Sequence, residues 1–339
     1  MYSIRCMYRT CPPSTQWNKT FRYREASMKY VIKKITGLII ALLIVSMLAF
    51  LAFEIIPGDP ARTILGTEAT EGKVQALREE MGLNRPLPQR YGQWVKDFVT
   101  GDMGTSYYYQ VPVGELIGDK IPITVTMTVL AFVFILLISV PVSLLSVRYE
   151  NQMLDRFFLI LNQVTMSIPP FFIGIVFTVL FGLVFHLFTP GGYVSYTESI
   201  GGFLGYLMLP SLAIALPKAA MTTKMLRSSL LTEMHQDYIR TAKSRGNSPW
   251  RILLRHAFRN GLLPVITFLG MAIADMIANS IVIEQVFGIP GIGRTLISSI
   301  SKRDYPVVEA IIVLIAVVIL VMNTAVDLLY KKLDKRIEV

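Results

Sequence analysis

Three stretches of this chain, 35–56, 121–147 and 307–329, each run past twenty residues without a lysine or an arginine. At about 1.5 Å of rise per residue, a helix of that length crosses a hydrocarbon layer about 30 Å thick. No water is present in such a layer, so the backbone has to close its hydrogen bonds within the segment, as a helix does. Weaker apolar runs lie at 157–188, at about 203–223 and at about 262–283. Six spans are therefore expected, and the fold class is an all-α polytopic membrane protein. The first run reads as an uncleaved anchor, because it continues to Glu54 and Pro57 without a small-residue cleavage site.

Composition agrees with this reading: 53% of residues are hydrophobic, 17% are charged and the mean hydropathy is +0.52. The net charge of +10 raises the question of nucleic acid. The basic residues, however, cluster at 1–34, 57–120, 148–156, 218–260, 284–306 and 331–339, flanking the apolar runs with none expected inside a span. That placement is the signature of membrane topology and speaks against nucleic-acid binding. With both termini inside, the basic excess falls on the inner side. Cys6 and Cys11 stand alone in the N-terminal segment, and His186, His235 and His256 are scattered, so neither a metal site nor an intramembrane catalytic constellation is expected.

Between the fourth and fifth runs lies a polar, basic insert at 232–264, TEMHQDYIRTAKSRGNSPWRILLRHAFRNGLLP. It predicts two helices joined at a tight corner. Thr232 is placed to cap the first helix, with Glu233 and Asp237 in its opening turns and Lys243 and Arg245 in its last. Gly246 follows where a left-handed residue is needed. Ser248 then suits an N-cap and Pro249 the first helical position. Trp250, Leu253, Leu254, Ala257 and Phe258 form an apolar stripe, with Arg251, Arg255 and Arg259 on another face. A basic loop held against anionic headgroups is the alternative reading.

Residues 237–246, DYIRTAKSRG, followed by Arg255-His256-Ala257-Phe258-Arg259-Asn260 and Leu263-Pro264, resemble the cytoplasmic coupling loop of ABC-importer permeases, above all the dipeptide, oligopeptide and nickel branch. Pro57-Gly58-Asp59-Pro60, Met81-Gly82-Leu83, 101–106, 282–294, Arg303-Asp304-Tyr305-Pro306 and 323–330 follow the same branch in order. The family's usual Asp-Pro-Arg ending is replaced by Asp334-Lys335-Arg336. The resemblance implies a type I ABC-importer permease fold in a bacterial or archaeal plasma (inner) membrane, with both termini cytoplasmic. It implies a homologous second permease, two ATP-binding subunits that bind ATP and Mg and carry out hydrolysis, and an extracytoplasmic substrate-binding protein. The chain itself would bind no cofactor and no metal and would catalyse nothing. Coupling would fall to Asp237, Tyr238, Arg240, Thr241, Ala242, Arg245, Gly246, Arg255, His256 and Asn260. The solute would be a peptide, a nickel complex or another small molecule. A secondary transporter driven through Glu54, Asp275 and Asp327 is the rival class.

The chain then divides into a polar tail at 1–27, a first transmembrane helix at 28–56, an extracytoplasmic insert at 57–120 and a five-helix core at 121–339. Met28 resembles the usual start of these permeases; a genuine cytoplasmic tail is the alternative. Aromatic residues between Tyr91 and Tyr109 would serve either as interfacial anchors or as the lining of a peptide entrance. Pro169 and Pro170 should break the third span, either beside the translocation path or as a structural kink. Asp275 in the fifth span is a candidate for the path or for an interhelical hydrogen bond, and Asn323 and Asp327 share a face of the last. Residues 288–295 nearly spell a phosphate loop, but Arg294 stands where lysine is required and no strand precedes it.

Overall fold

The computed structural model describes residues 14–55, 60–66, 69–80 and 82–333, with the side chains of 14–31, 53–55, 60, 63, 80 and 327–333 excepted. Residues 1–13, most of the Pro57–Pro60 motif, Met81, residues 334–339 and the side chains of Glu54, Asp327, Lys331 and Lys332 thus lie outside the described residues. The first helix, α1 (Ser14–Ile55), begins well before the apolar run. α1 thus starts within the polar N-terminal segment, where Lys19, Arg22, Arg24, Glu25 and Ala26, all good helix formers, carry the helix out past its apolar part.

The insert consists of short helices, α2 (Pro60–Leu65), α3 (Glu71–Glu80), α4 (Leu87–Thr100) and α5 (Val113–Gly118). α4 lies along α1: Tyr91 stacks on Trp94, Phe50 of α1 sits 5.6 Å from the Tyr91 ring, and Tyr91 Oη shares a 2.8 Å hydrogen bond with Ser46. These aromatics are anchors between two helices.

The core follows as α6 (Ile121–Arg148), α7 (Met153–Ser167), α8 (Pro170–Phe177), α9 (Ile200–Met234), α10 (Asp237–Ser244), α11 (Pro249–Ile252), α12 (Phe258–Phe287), α13 (Ile292–Ser301) and α14 (Tyr305–Leu333). π-helical turns at Thr178–Val184 and Leu253–Ala257 extend α8 and join α11 to α12. Among the described residues five helical stretches are long and apolar enough to cross a membrane: Ile32–Ala52, Val113–Arg148, Ile200–Met234, Pro249–Phe287 and Tyr305–Val326. A sixth crossing requires counting the two halves of the third run as one, and these meet at 98°. The break falls at Ile168 and Pro169, both extended, because a proline pushes its predecessor out of helical backbone.

α9 is the hub, packed against α6, α7, α8 and α12, while α14 lies between α1 and α12. Close approach depends on small residues. A Cβ at Gly261 would press on Leu230 of α9, and one at Gly270 would overlap Val326 of α14. Ser211 Oγ donates to Met127 O at 3.1 Å and Ser143 Oγ to Thr223 O at 3.1 Å, tying α6 to α9. The outward faces stay apolar, with Leu48, Val125, Leu137, Ile160, Phe172 and Leu183 exposed, as a chain surrounded by hydrocarbon or by other spans requires.

Candidate functional site

At one end of the bundle the chain leaves α9, turns through His235 and Gln236, and forms the two-turn helix α10. Here the expected cap is corrected. Thr232 belongs to the last turn of α9, where its hydroxyl donates back to Ser228 O at 3.0 Å, and α10 starts after Gln236 with no side-chain cap. The other corner residues fall where their chemistry requires. Gly246 has φ +75° and its N–H closes on Lys243 O at 3.0 Å. Ser248 Oγ accepts from Arg251 N at 3.4 Å, and Pro249 opens α11. Asn247 is a further brace that the sequence reading missed: its Nδ2 donates to Ala242 O at 3.0 Å, holding the end of α10 against the corner.

α10 is fixed on one face and open on the other. Ile239 and Ala242 are buried, whereas Asp237, Arg240, Thr241 and Lys243 are exposed. Arg240 Nη1 lies 3.5 Å from Asp237 Oδ1, an exposed pair on one helix face that contributes little to stability. Tyr238 bridges elements. Its hydroxyl donates to Glu233 of α9 and accepts from Asn260 Nδ2 of α12 at 3.2 Å. Burial and the Glu233 carboxylate raise the Tyr238 hydroxyl above its ordinary range, so it remains a donor. Arg245 and Gly246 are exposed at the corner. Arg255 is exposed and His256 half-buried in the π-helical turn.

That turn corrects the apolar stripe. Inserting a π turn advances the backbone by one residue, so Ile252, Leu253, Ala257 and Gly261 point inward while Trp250 and Leu254 face out. α10 together with Trp250 and Leu254 therefore makes a mixed surface, basic at Arg240, Lys243 and Arg245 and apolar beside it.

Above this end α9 is clamped. Asp155 of α7 accepts from Arg227 Nε at 2.8 Å and Nη2 at 2.7 Å, from Asn151 N at 3.0 Å and from Ser146 Oγ. The carboxylate is 1% exposed and the guanidinium side chain 17%. No motif announced this pair; its two members lie in segments read as a turn and as a flank.

Of the residues assigned to the path, Pro169 and Pro170 form the 98° break, and Asp275 accepts from Lys218 of α9. Lys218 corrects the expectation that no basic residue lies within a span, since it sits midway along α9. Asn323 is half-buried on α14, and the structure shows no hydrogen bond from it to Asp275 among the described residues.

At the opposite end two family-like segments meet. Asp304, fully buried, accepts from Tyr107 N at 2.8 Å and from Ser106 Oγ, so the 101–106 segment is locked onto the start of α14. The segment that mimics a phosphate loop has its own anion. Glu284, buried on α12, accepts from Gly293 N at 2.7 Å, Arg294 N at 3.0 Å and Thr124 Oγ1 at 2.5 Å, filling the N-terminus of α13. A Cβ at Gly291 would overlap that carboxylate.

Comparison with known proteins fits this architecture. Residues 139–339 match the family described as binding-protein-dependent transport system inner membrane component, and residues 27–128 match the N-terminal part of such membrane components. A protein of Sinorhizobium fredii named "Probable peptide ABC transporter permease protein" is 32% identical over 308 residues, covering 91% of this chain and 98% of that protein. The glutathione transport system permease protein of Salmonella paratyphi A is 32% identical over 310 residues, covering 91% of this chain and 99% of its own length. All-helical in its regular structure among the described residues, with five helices long and apolar enough to cross a membrane, and matched along nearly its whole length, the chain belongs to the binding-protein-dependent transport family, as a multi-pass permease component of an ABC importer.

Proposed function

We propose that the chain imports peptides, as one of two homologous permeases that enclose a common path. Two ATP-binding subunits would sit at the α10 end, hydrolysing ATP with Mg, and a substrate-binding protein would deliver peptide at the opposite end. The chain would itself hold no cofactor. The observation that carries the reading is α10: a short helix braced from behind by Ile239, Ala242, Tyr238 and Asn247, with its free face presented beyond the bundle. Such a helix can be pushed as a rigid body, and the corner that follows it is shaped by Gly246. Asp237, Tyr238, Arg240, Thr241, Ala242, Arg245, Gly246, Arg255, His256 and Asn260 would form or support the docking surface. Pro169, Pro170, Asp275, Asn323 and Asp327 would border the path. The relatives named for peptide and glutathione transport support the substrate class.

The orientation follows from charge: the end bearing α10 and the C-terminus holds more lysine and arginine and would be cytoplasmic, in a bacterial or archaeal plasma membrane with both termini inside. The test is ATP-dependent uptake of a labelled dipeptide by proteoliposomes carrying all subunits, with Gln75→Cys and Lys243→Cys probed by an impermeant thiol reagent. Uptake without ATP, or labelling of both positions from one side, would refute the proposal.

A further inference from the structure

Lys218 and Asp275 face each other near the middle of two long helices, α9 and α12, and the lysine donates to Asp275 Oδ2. The two partners are not equally hidden. The Lys218 side chain is 20% exposed and lies between the helices, whereas the Asp275 carboxylate is 60% exposed. Asn279, one turn away, folds its side-chain amide back onto Asp275 O at 2.7 Å, and the neighbouring exposed residues, Met221, Met271 and Val282, are apolar. The pair, with Asn279 beside it, is thus a polar spot between apolar neighbours. Intramembrane charges face a bundle interior, a water-filled cavity or a partner, because hydrocarbon does not solvate them. The wall carrying Asp275 therefore does not face lipid. The charge it offers is negative, since the ammonium is set back and already engaged.

We infer that Asp275 is a station on the translocation path for the cationic end of the solute, a primary ammonium such as a peptide N-terminus, with Lys218 as the positioning residue that holds the carboxylate in its outward orientation. This rests on the permease reading above. A passing ammonium exchanges its water for the outward carboxylate oxygen, while Lys218 stays on the other. A solute whose leading charge is an anion meets repulsion there.

The test uses the complete reconstituted complex with Cys6→Ser and Cys11→Ser. In that background an Asp275→Cys thiol should react with a cationic, membrane-impermeant thiosulfonate, and alanylalanine supplied with binding protein and ATP should slow the reaction. A Leu137→Cys thiol on the apolar outer face should stay silent. Asp275→Asn should lower alanylalanine uptake about tenfold, the loss expected for one hydrogen bond to a charged group. Binding-protein-stimulated ATP hydrolysis should stay near wild type, and Asp275→Glu should recover most of the uptake. Exchanging the charges, Lys218→Asp with Asp275→Lys, should keep the subunits together without restoring uptake, because a cation then faces the solute. Restored uptake in the exchanged pair would overturn the proposal and make the pair a tie between helices or between permeases. A silent thiol at 275 would overturn it as well. If the wild-type complex shows no ATP-driven uptake, the permease reading has failed instead, and the reactivity of the thiol still decides whether Asp275 borders water.

Discussion

Removing the carboxylate of Asp155 should loosen the half of the bundle that carries α10. Asp155→Ala deletes four accepted hydrogen bonds at once, two of them from Arg227 at 2.7 and 2.8 Å. It leaves a guanidinium whose side chain is only 17% exposed without an anion. Breaking a buried pair from one side costs about 3–5 kcal/mol. The low end applies here, because Arg227 retains a route to water, and about 3 kcal/mol is expected. Asn151, held at φ +63° in the turn between α6 and α7, also loses the acceptor for its N–H. Asp155→Leu combined with Arg227→Met removes both charges and should lie within about 1–2 kcal/mol of wild type, since an apolar pair of similar volume replaces a buried ion pair at little cost. The assay is reversible unfolding of the purified chain in mixed detergent micelles, followed by tryptophan fluorescence. Arg227 lies seven residues before the end of α9, about 10 Å along the axis, so uptake should fall in the single variant and return in the double one. A single variant within about 1 kcal/mol of wild type would mean that the pair is solvated and that the clamp is not a clamp.

Gly246→Val forces a branched side chain into φ +75°; nothing crowds the position, so the penalty of about 1–2 kcal/mol is purely backbone and should appear as lost uptake and lost stimulated ATP hydrolysis in a chain that still inserts. Wild-type values for both would reduce this loop to a surface anchor. Arg240→Glu should weaken co-purification of the ATP-binding subunit, with the defect changing as salt is raised; salt-independent, wild-type recovery would count against docking through this face. Glu284→Ala strips the acceptor from two α13 N–H groups and from Thr124, which should cost about 1–3 kcal/mol in the same micelle assay, with Glu284→Gln closer to wild type. Deleting residues 1–27 should leave insertion and uptake intact, and loss of assembly would show that this segment contributes to function.

What the sequence made legible follows from how locally each feature is determined. Apolar length announces a membrane helix without reference to any other part of the chain, and so the runs at 121–147 and 307–329 reappear almost unchanged as α6 and α14. Gly246, Ser248 and Pro249 were equally readable, since positive φ, an N-cap and a first-turn proline are each demands of a few adjacent residues. Thr232 failed for a reason of the same kind. A threonine before an acidic turn is a credible cap, but packing of Leu226 and Leu230 into the core drives α9 onward past it. The stripe through Trp250 and Leu254 failed because the reading assumed a constant period, which the π turn at Leu253–Ala257 breaks.

The contacts that tie separate elements together, by contrast, join residues far apart in the chain. Asp155 with Arg227, Lys218 with Asp275, Tyr238 with Asn260 and Ser106 with Asp304 have no spacing that a sequence could advertise. Their distribution has a mechanical sense. Asp155–Arg227 and Tyr238–Glu233–Asn260 stiffen the end that carries α10, while Ser106–Asp304 and Glu284–Thr124 stiffen the opposite end. Between them, at mid-depth, the polar contact across α9 and α12 is the exposed one of Lys218 and Asp275, and the third crossing is broken at Pro169. A displacement of α10 would then be carried through two rigid ends and absorbed in the middle, where ion-pair geometry is open to solvent and the backbone is already interrupted. If α10 is driven by an ATP-binding subunit as proposed, the compliant layer lies at the depth of Lys218, Asp275 and the break at Pro169.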